Sequence, residues 1–182
     1  MRYNPDKHHR KSIRLKGYDY SRAGAYYVTI CVQDRDMLLG KVVDGQIKLN
    51  EYGKMVAYTW NDLPNHHPHV CLDEFVIMPN HVHGVIIIDV GAGSVGAGSE
   101  PAPTKTKHKQ HGLPEIIRQF KTFSARRINN IRQTSGIHVW QRNYFEHVIR
   151  NENELHRIQK YIIENPLNWD SDDENPHNTR TD

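Results

Sequence analysis

The chain has 182 residues, with 24 Lys and Arg against 21 Asp and Glu and a net charge of +3, a size within the usual range for one domain with one core, and no second domain is expected. No apolar run approaches the roughly 18 residues of a membrane span, and residues 1–7 lack the apolar stretch of a signal peptide. A membrane role is therefore not expected, and the cytoplasm is the expected compartment. Cys31 and Cys71 form no Cys-x-x-Cys pair and fall in predicted strands, so they read as buried free thiols rather than a disulfide or a zinc site.

In chain order, residues 26–33 read as a strand, and residues 40–49 as a β-hairpin turning at Asp44-Gly45, a dipeptide suited to positive backbone angles. Asn50 can cap a helix that buries Tyr52, Met55, Val56 and Trp60 and stops before Pro64. Two strands follow, about 70–78 and 82–89. A connector of about 90–112 repeats Val-Gly-Ala-Gly-Ser, continues through Pro101 and Pro103 into a lysine-rich run, and reads as a flexible loop. Leu113, Ile116, Ile117, Phe120, Phe123, Ile128 and Ile131 then recur at helical spacing over about 113–132. A last helix, about 152–165, buries Leu155, Ile158 and Ile162. Residues 170–182, rich in Asp, Asn and Pro, read as a disordered acidic tail. Several strands with helices on one face describe a two-layer α+β sandwich within 1–169.

Charge is unevenly spread along this framework. Arg2, Lys7, Arg10, Lys11, Arg14, Lys16 and Arg22 stand against only Asp6 and Asp19, and Lys105, Lys107, Lys109, Arg118, Lys121, Arg126, Arg127 and Arg132 against only Glu115. Each zone is able to hold phosphates, the bland alternative being a solvated surface. Arg118, Lys121 and Arg126 lie on the polar side of the 113–132 helix, placed to follow a phosphate backbone if that side looks toward the active site.

The most informative motif is Met78-Pro79-Asn80-His81-Val82-His83, set between Phe75-Val76-Ile77 and Val85-Ile86-Ile87-Ile88. Side chains alternate along a strand, so His81 and His83 project to one side and can grip one metal ion. Far downstream, Tyr161 and Asn165, four apart, share a helix face that Pro166 ends. His66, His67 and His69 form a denser cluster around Pro68, but a loop role is the simpler reading there. Tyr26, Tyr27, Tyr144 and Phe145 read as sheet or core packing rather than base stacking.

These blocks are similar to those of the single-tyrosine HUH transposases, and within them the REP-associated tyrosine transposases. The resemblance rests on Arg10 to Tyr20 with Gly24 to Ile30, on Leu72 to His83, on Phe120 to Phe123 with Arg126 to Asn129, on Trp140 to Arg150, and on Tyr161 to Trp169. It implies a ferredoxin-like antiparallel sheet with the histidine strand central and the tyrosine helix beside it. It also implies that Asn165 is a third metal ligand with His81 and His83, and that Tyr161 is the nucleophile forming a 5′-phosphotyrosine. The partner it implies is single-stranded or hairpin DNA from repeated palindromes, and the two basic zones supply the candidates for contacting it: Arg10, Lys11, Arg14 and Lys16, and Arg118, Lys121, Arg126 and Arg127. A monomer or a homodimer is compatible with this.

Two histidines and an amide form a weak, exchangeable site, for which Mg or Mn is expected; a structural zinc site would close with four protein ligands. Tyrosine has a pKa near 10, so Tyr161 needs activation by nearby positive charge, either the metal or Arg157 one turn earlier. Two other readings compete with the transposase-like nuclease: a domesticated protein that binds hairpin DNA without cutting it, and a metallohydrolase using a bound water.

Overall fold

A computed structural model describes residues 15, 17–89, 111–176 and 178. Arg10, Lys11, Arg14 and Lys16, and the loop through residue 110, lie outside them. Strands β1 (Gly24–Cys31), β2 (Gly40–Val43), β3 (Gln46–Leu49), β4 (Val70–Ile77), β5 (His81–Ile88) and β6 (Phe145–Ile149) are joined by helices α1 (Glu51–Asn61), α2 (Leu63–His66), α3 (Leu113–Ile131) and α4 (Glu152–Glu164). The fold is α+β: β4, β5, β1 and β6 form a four-stranded sheet in that order with every pair antiparallel, and β2 and β3 form a separate hairpin. Among the described residues no helix is long and apolar enough to cross a membrane.

Alternation along β1 and β5 assigns the two faces of the sheet. Tyr26, Val28, Ile30, Val82, Ile86 and Ile88 point into a core shared with Val56 and Trp60 of α1 and Ile116, Ile117 and Phe120 of α3. Val85 and Ile87, together with Tyr27, point the other way and pack against Leu155, Ile158 and Ile162 of α4. The helices thus cover both faces, not one as the sequence suggested. The reason is that β1 and β5 carry apolar or chemically committed side chains on both sides, and a strand buried on both sides needs a layer on each. The consequence for function is that α3 lies on the face opposite His81 and His83.

Local chemistry sets the element boundaries. Asn50 Oδ1 accepts from the Gly53 N–H at 3.0 Å and opens α1, and Asn151 Oδ1 accepts from the Glu154 N–H at 2.9 Å and opens α4. Asp44 and Gly45 both take positive φ, 52° and 69°, in the β2–β3 turn. Gly84 is required by packing: a Cβ there would sit 2.4 Å from Cζ2 and 2.8 Å from Cη2 of Trp60. The tight link from β4 to β5 is pinned by the Met78 N–H donating to the His81 carbonyl at 2.8 Å, and by the Pro79 and Asn80 carbonyls accepting from Leu39 and Val32 at 2.8 and 2.7 Å.

Two expectations fail. The stretch after residue 169 is not disordered where it is described: Trp169 is buried and forms a turn with Asp170 and Ser171, and Asp172 and Asn175 are buried behind it. Hydrogen bonds from the Glu174 N–H to Asp172 Oδ1 and from Asn175 Nδ2 to the Trp169 carbonyl hold it. Composition misled here because the polar side chains satisfy one another rather than water. Cys31 and Cys71 are both free thiols, but Cys71, on the edge strand β4, is exposed.

Candidate active site

β5 sets His81 and His83 side by side on the α4 face, 0% and 3% exposed. Their Nε2 atoms lie 2.9 Å apart, and the other nitrogen of each ring is spoken for. Asn80 Nδ2 donates to the carbonyls of Arg35 (3.2 Å) and Glu174 (2.7 Å), which fixes its amide so that Oδ1 accepts from Nδ1–H of His81 at 2.8 Å. On His83, Nδ1 meets Thr29 Oγ1 at 2.9 Å and the Tyr27 hydroxyl at 2.8 Å, while Thr29 Oγ1 donates to Tyr27 at 3.1 Å. With Thr29 donating onward, Nδ1–H of His83 is the donor in this chain. Burial holds both imidazoles neutral, His81 pushed down to about 3 with a smaller push from Arg35, and His83 well below its ordinary range with help from His81. Two neutral rings so oriented aim two lone pairs at one point.

That arrangement suits a cation. Nitrogens bound at about 2.1 Å at right angles on one ion lie about 3 Å apart, close to the observed separation. Asp172 completes the group: one ligand atom each from His81, His83 and Asp172 lies within 4.8 Å of the others, and all three residues are buried. Asn165, 1% exposed at the end of α4, donates from Nδ2 to Asp172 Oδ2 at 2.8 Å. Its Oδ1 is buried without a hydrogen-bond partner, an orphaned oxygen of the type a metal ion satisfies. Asp172 is the residue the sequence reading missed; it lies seven residues beyond Asn165 in a stretch whose Asp residues look alike in one dimension.

Tyr161, one turn before Asn165, presents its hydroxyl 3.5 Å from Nε2 of His83 and is 48% exposed. Its ring meets Tyr27 edge to face, with centroids 6.3 Å apart. Burial raises its pKa, as do Asp172 and Asp173, while hydrogen bonds from Tyr27 and Asn165 lower it. Arg157 does not supply the activation expected of it: it is exposed, and its charge acts on Glu154. Tyr27, expected to serve packing, instead joins Tyr161 to His83.

The cleft in front of Tyr161 has a volume of about 370 Å3 and is lined by Tyr27, His83, Asn143, Tyr144, Asp172 and Asp173, among others. Cys31, opposite His81 in register, also lines it. Burial pushes that thiol up to about 12, so it stays protonated and outside the ligand group. With Asp172, Asp173 and Glu174 on one side and Arg35 spent on Glu174 at 3.1 Å, the cleft repels a phosphate unless positive charge is added.

The basic residues of α3 do not converge on this cleft. Arg127 donates to Thr59 Oγ1 at 2.9 Å and lies 5.0 Å from the Tyr58 ring centroid, tying α3 to α1. Arg126 is exposed beside Asn129 and Asn130. Arg118 is held by Glu115, with Nε to Oε2 at 2.7 Å. Lys121 Nζ donates to the carbonyls of Gln141, Arg142 and Asn143, and burial lowers its pKa to about 8. The helical pattern identified a polar face correctly but not the sheet face to which the helix belongs. Of the second histidine cluster, His67 and His69 are buried, and His69 Nε2 donates to the His111 carbonyl at 2.9 Å.

No family model matches the chain. An uncharacterized protein of Haemophilus influenzae is 40% identical over 177 residues, spanning 94% of this chain and 96% of that protein. A second Haemophilus influenzae protein, assigned by name to the REP-associated tyrosine transposases, is 26% identical over 149 residues, 82% of this chain and 73% of that one. The solved structure of a REP-associated tyrosine transposase bound to a REP hairpin has the same fold, with a TM-score of 0.55 and 16% identity over 86% of this chain and 74% of that one.

Proposed function

Because the chain belongs to the REP-associated tyrosine transposases, we propose that it nicks and rejoins single-stranded DNA at hairpins, in a metal-dependent reaction with Tyr161 as nucleophile. The observation that carries this reading is that the hydroxyl of the half-exposed Tyr161 lies 3.5 Å from Nε2 of His83, one of a buried pair of neutral histidines. The solved relative is bound to a REP hairpin, and hairpin DNA is the substrate class assigned here.

His81, His83 and Asp172, with the Asn165 amide oxygen, would hold the cation, for which we assign Mg or Mn. When bound, it supplies charge compensation in an acidic cleft and polarisation of the scissile phosphate. The rest is work for the chain's own groups. Thr29 donates to Tyr27 and Tyr27 hydrogen-bonds Tyr161, which favours the phenolate that burial, Asp172 and Asp173 oppose. Attack forms a bond from Tyr161 Oη to phosphorus as the bond to the 3′ oxygen breaks; the phenol gives up its proton and the freed 3′ oxygen takes one up. The 5′-phosphotyrosine keeps the phosphodiester energy, so the strand can be rejoined to a new partner without ATP. Tyr161 on α4 and Asn165 at its C-cap lie one turn apart, so one rigid element positions both the nucleophile and a residue that would help hold the cation.

The test is to incubate the full chain with labelled hairpin oligonucleotides from beside its own gene, with Mn or Mg, and to look for a denaturant-resistant adduct. It should form with the native chain and be lost in Tyr161→Phe, in His81→Ala and on chelation. Tight hairpin binding with no adduct under either metal would instead place the protein among non-catalytic hairpin binders.

A further inference from the structure

His67, His69 and His111 meet outside the cleft, where the α2–β4 turn faces the start of α3. The backbone fixes the first two. The His67 N–H donates to the Leu63 carbonyl at 2.9 Å, and the His67 carbonyl accepts from the Val70 N–H at 2.8 Å, so the turn through Pro68 is held at both ends and both rings are buried. The His69 carbonyl accepts from the Asp89 N–H at 2.8 Å, and His69 Nε2 donates to the His111 carbonyl at 2.9 Å. The connector of residues 90–110 therefore leaves beside His69, at Asp89, and returns beside it, at His111.

The rings are prepared as ligands. His67 is 1% exposed, and both of its ring nitrogens are buried without a hydrogen-bond partner among the described residues; Gln119, in the same small pocket, acts on the ring only weakly. A buried imidazole with neither nitrogen satisfied is costly unless a ligand takes up its lone pair. In His69 the Nε2–H bonded to the His111 carbonyl leaves Nδ1 as the lone-pair nitrogen, the pattern in which a carbonyl on the far side orients a metal-bound ring. His66 stays outside the group, with its Nε2 on Asp62 at 3.1 Å. The ring centroid of His67 lies 6.0 Å from that of His69 and 5.6 Å from that of His111, whereas imidazoles bound at about 2.1 Å on one tetrahedral ion have ring centres about 5 Å apart. The three donor atoms are more widely spaced than those of His81, His83 and Asp172, and the closing movement falls to His111, whose side chain is exposed. We propose that His67, His69 and His111 form a second metal site, which takes zinc or a similar divalent cation with water at the remaining position and ties both ends of the connector and the start of α3 to the α2–β4 turn. Three imidazoles without a carboxylate favour Zn, Ni or Cu over Mg and Mn, so this site differs from the one at Tyr161 in its choice of ion and does not depend on the reading of the cleft.

The experiment strips the full chain with a chelator, dialyses it against zinc and measures bound metal per chain by atomic absorption. The native chain should take two zinc ions, His111→Ala and His81→Ala one each, and the double variant none, with affinity at the new site falling at least roughly tenfold in His111→Ala. Amide hydrogen exchange adds a readout that a loosely held ion would not move. In His81→Ala, where the cleft no longer binds, zinc should slow exchange at the Val70 and Asp89 amides, which donate to the His67 and His69 carbonyls, and at Ile116 in the first turn of α3; in the double variant it should not. Zinc lost altogether in His81→Ala, zinc in His81→Ala that survives the further change of His111, or exchange at these amides that zinc leaves unaltered would overturn the proposal. A single zinc ion in the native chain that is held through His81→Ala and lost in His111→Ala would support it and count against the metal site of the cleft instead. Should His81→Ala fold poorly, the native chain against His111→Ala decides, since His111 is exposed: equal zinc in the two would overturn the proposal.

Discussion

Replacing Asn80 by Ala isolates the role of the groups behind the histidines. Asn80 is 1% exposed and makes three hydrogen bonds: it accepts from His81 Nδ1–H at 2.8 Å and donates to the Arg35 and Glu174 carbonyls at 3.2 and 2.7 Å. Truncation leaves the His81 Nδ1–H without its partner in a buried setting and frees the carbonyl that anchors Glu174. At about 1–3 kcal/mol for each buried group left unsatisfied, the loss of stability should be about 2–4 kcal/mol. It also removes what fixes the His81 tautomer with its Nε2 lone pair forward, and loss of such a support weakens metal binding about 10- to 100-fold. Urea denaturation of the metal-free chain gives the first quantity, and Mn titration followed by calorimetry gives the second. Asn80→Asp keeps the acceptor, loses the two donors, and should recover most of the Mn affinity but not the stability. A variant that loses stability while binding Mn as tightly as the native chain would refute the tautomer argument.

Further outcomes follow from particular contacts. Gly84→Ala forces a methyl into the Trp60 ring, 2.4 Å from Cζ2, and should cost about 1–3 kcal/mol, read as a fall of several degrees in the thermal midpoint. Asp172→Asn should weaken Mn binding at least about tenfold and, because the carboxylate raises the Tyr161 pKa, should lower the pH at which that phenol ionises, measured by ultraviolet difference titration against Tyr161→Phe. His67 is held neutral mainly by burial, then by His111, His69 and His66. Its pKa in the folded state lies below its unfolded value of about 6.5, so its contribution to stability is complete above that pH and is lost as pH falls below it. His67→Gln should therefore reduce the steepness of acid destabilisation between pH 7 and 5, by up to about 1.4 kcal/mol per pH unit at full titration, and an unchanged slope would contradict this.

Legibility from sequence tracked how local each constraint was. The His81 and His83 pairing rests on strand alternation alone, and Tyr161 and Asn165 on one turn of helix, so both pairs could be drawn before any fold was known. The α+β class and the central position of β5 were likewise expected and are present. What failed was non-local. Thr29 reaches His83 only because β1 and β5 pair with those residues in register, and Asp172 arrives through a turn built by Trp169 and the Asp and Asn side chains around it. The basic stripe of α3 was visible as a pattern, but the sheet face it packs on is set by which side of β1 and β5 its apolar stripe covers. β6 went unseen because it is a five-residue edge strand with exposed Phe145 and no clean alternation.

Identifying the residue that carries DNA after reaction tests the assignment of Tyr161 as nucleophile. The full chain is incubated with Mn and a hairpin oligonucleotide bearing distinguishable labels at its two ends, digested with trypsin, and the DNA-linked peptide sequenced by mass spectrometry. A single modified peptide containing Tyr161 should be found, joined to the fragment that carries the 3′-end label, with a free 3′ hydroxyl on the other fragment. Linkage through any other residue would contradict it by naming a different nucleophile, and cleaved hairpin with no linked peptide would contradict it by assigning the metal centre to a hydrolase that uses water.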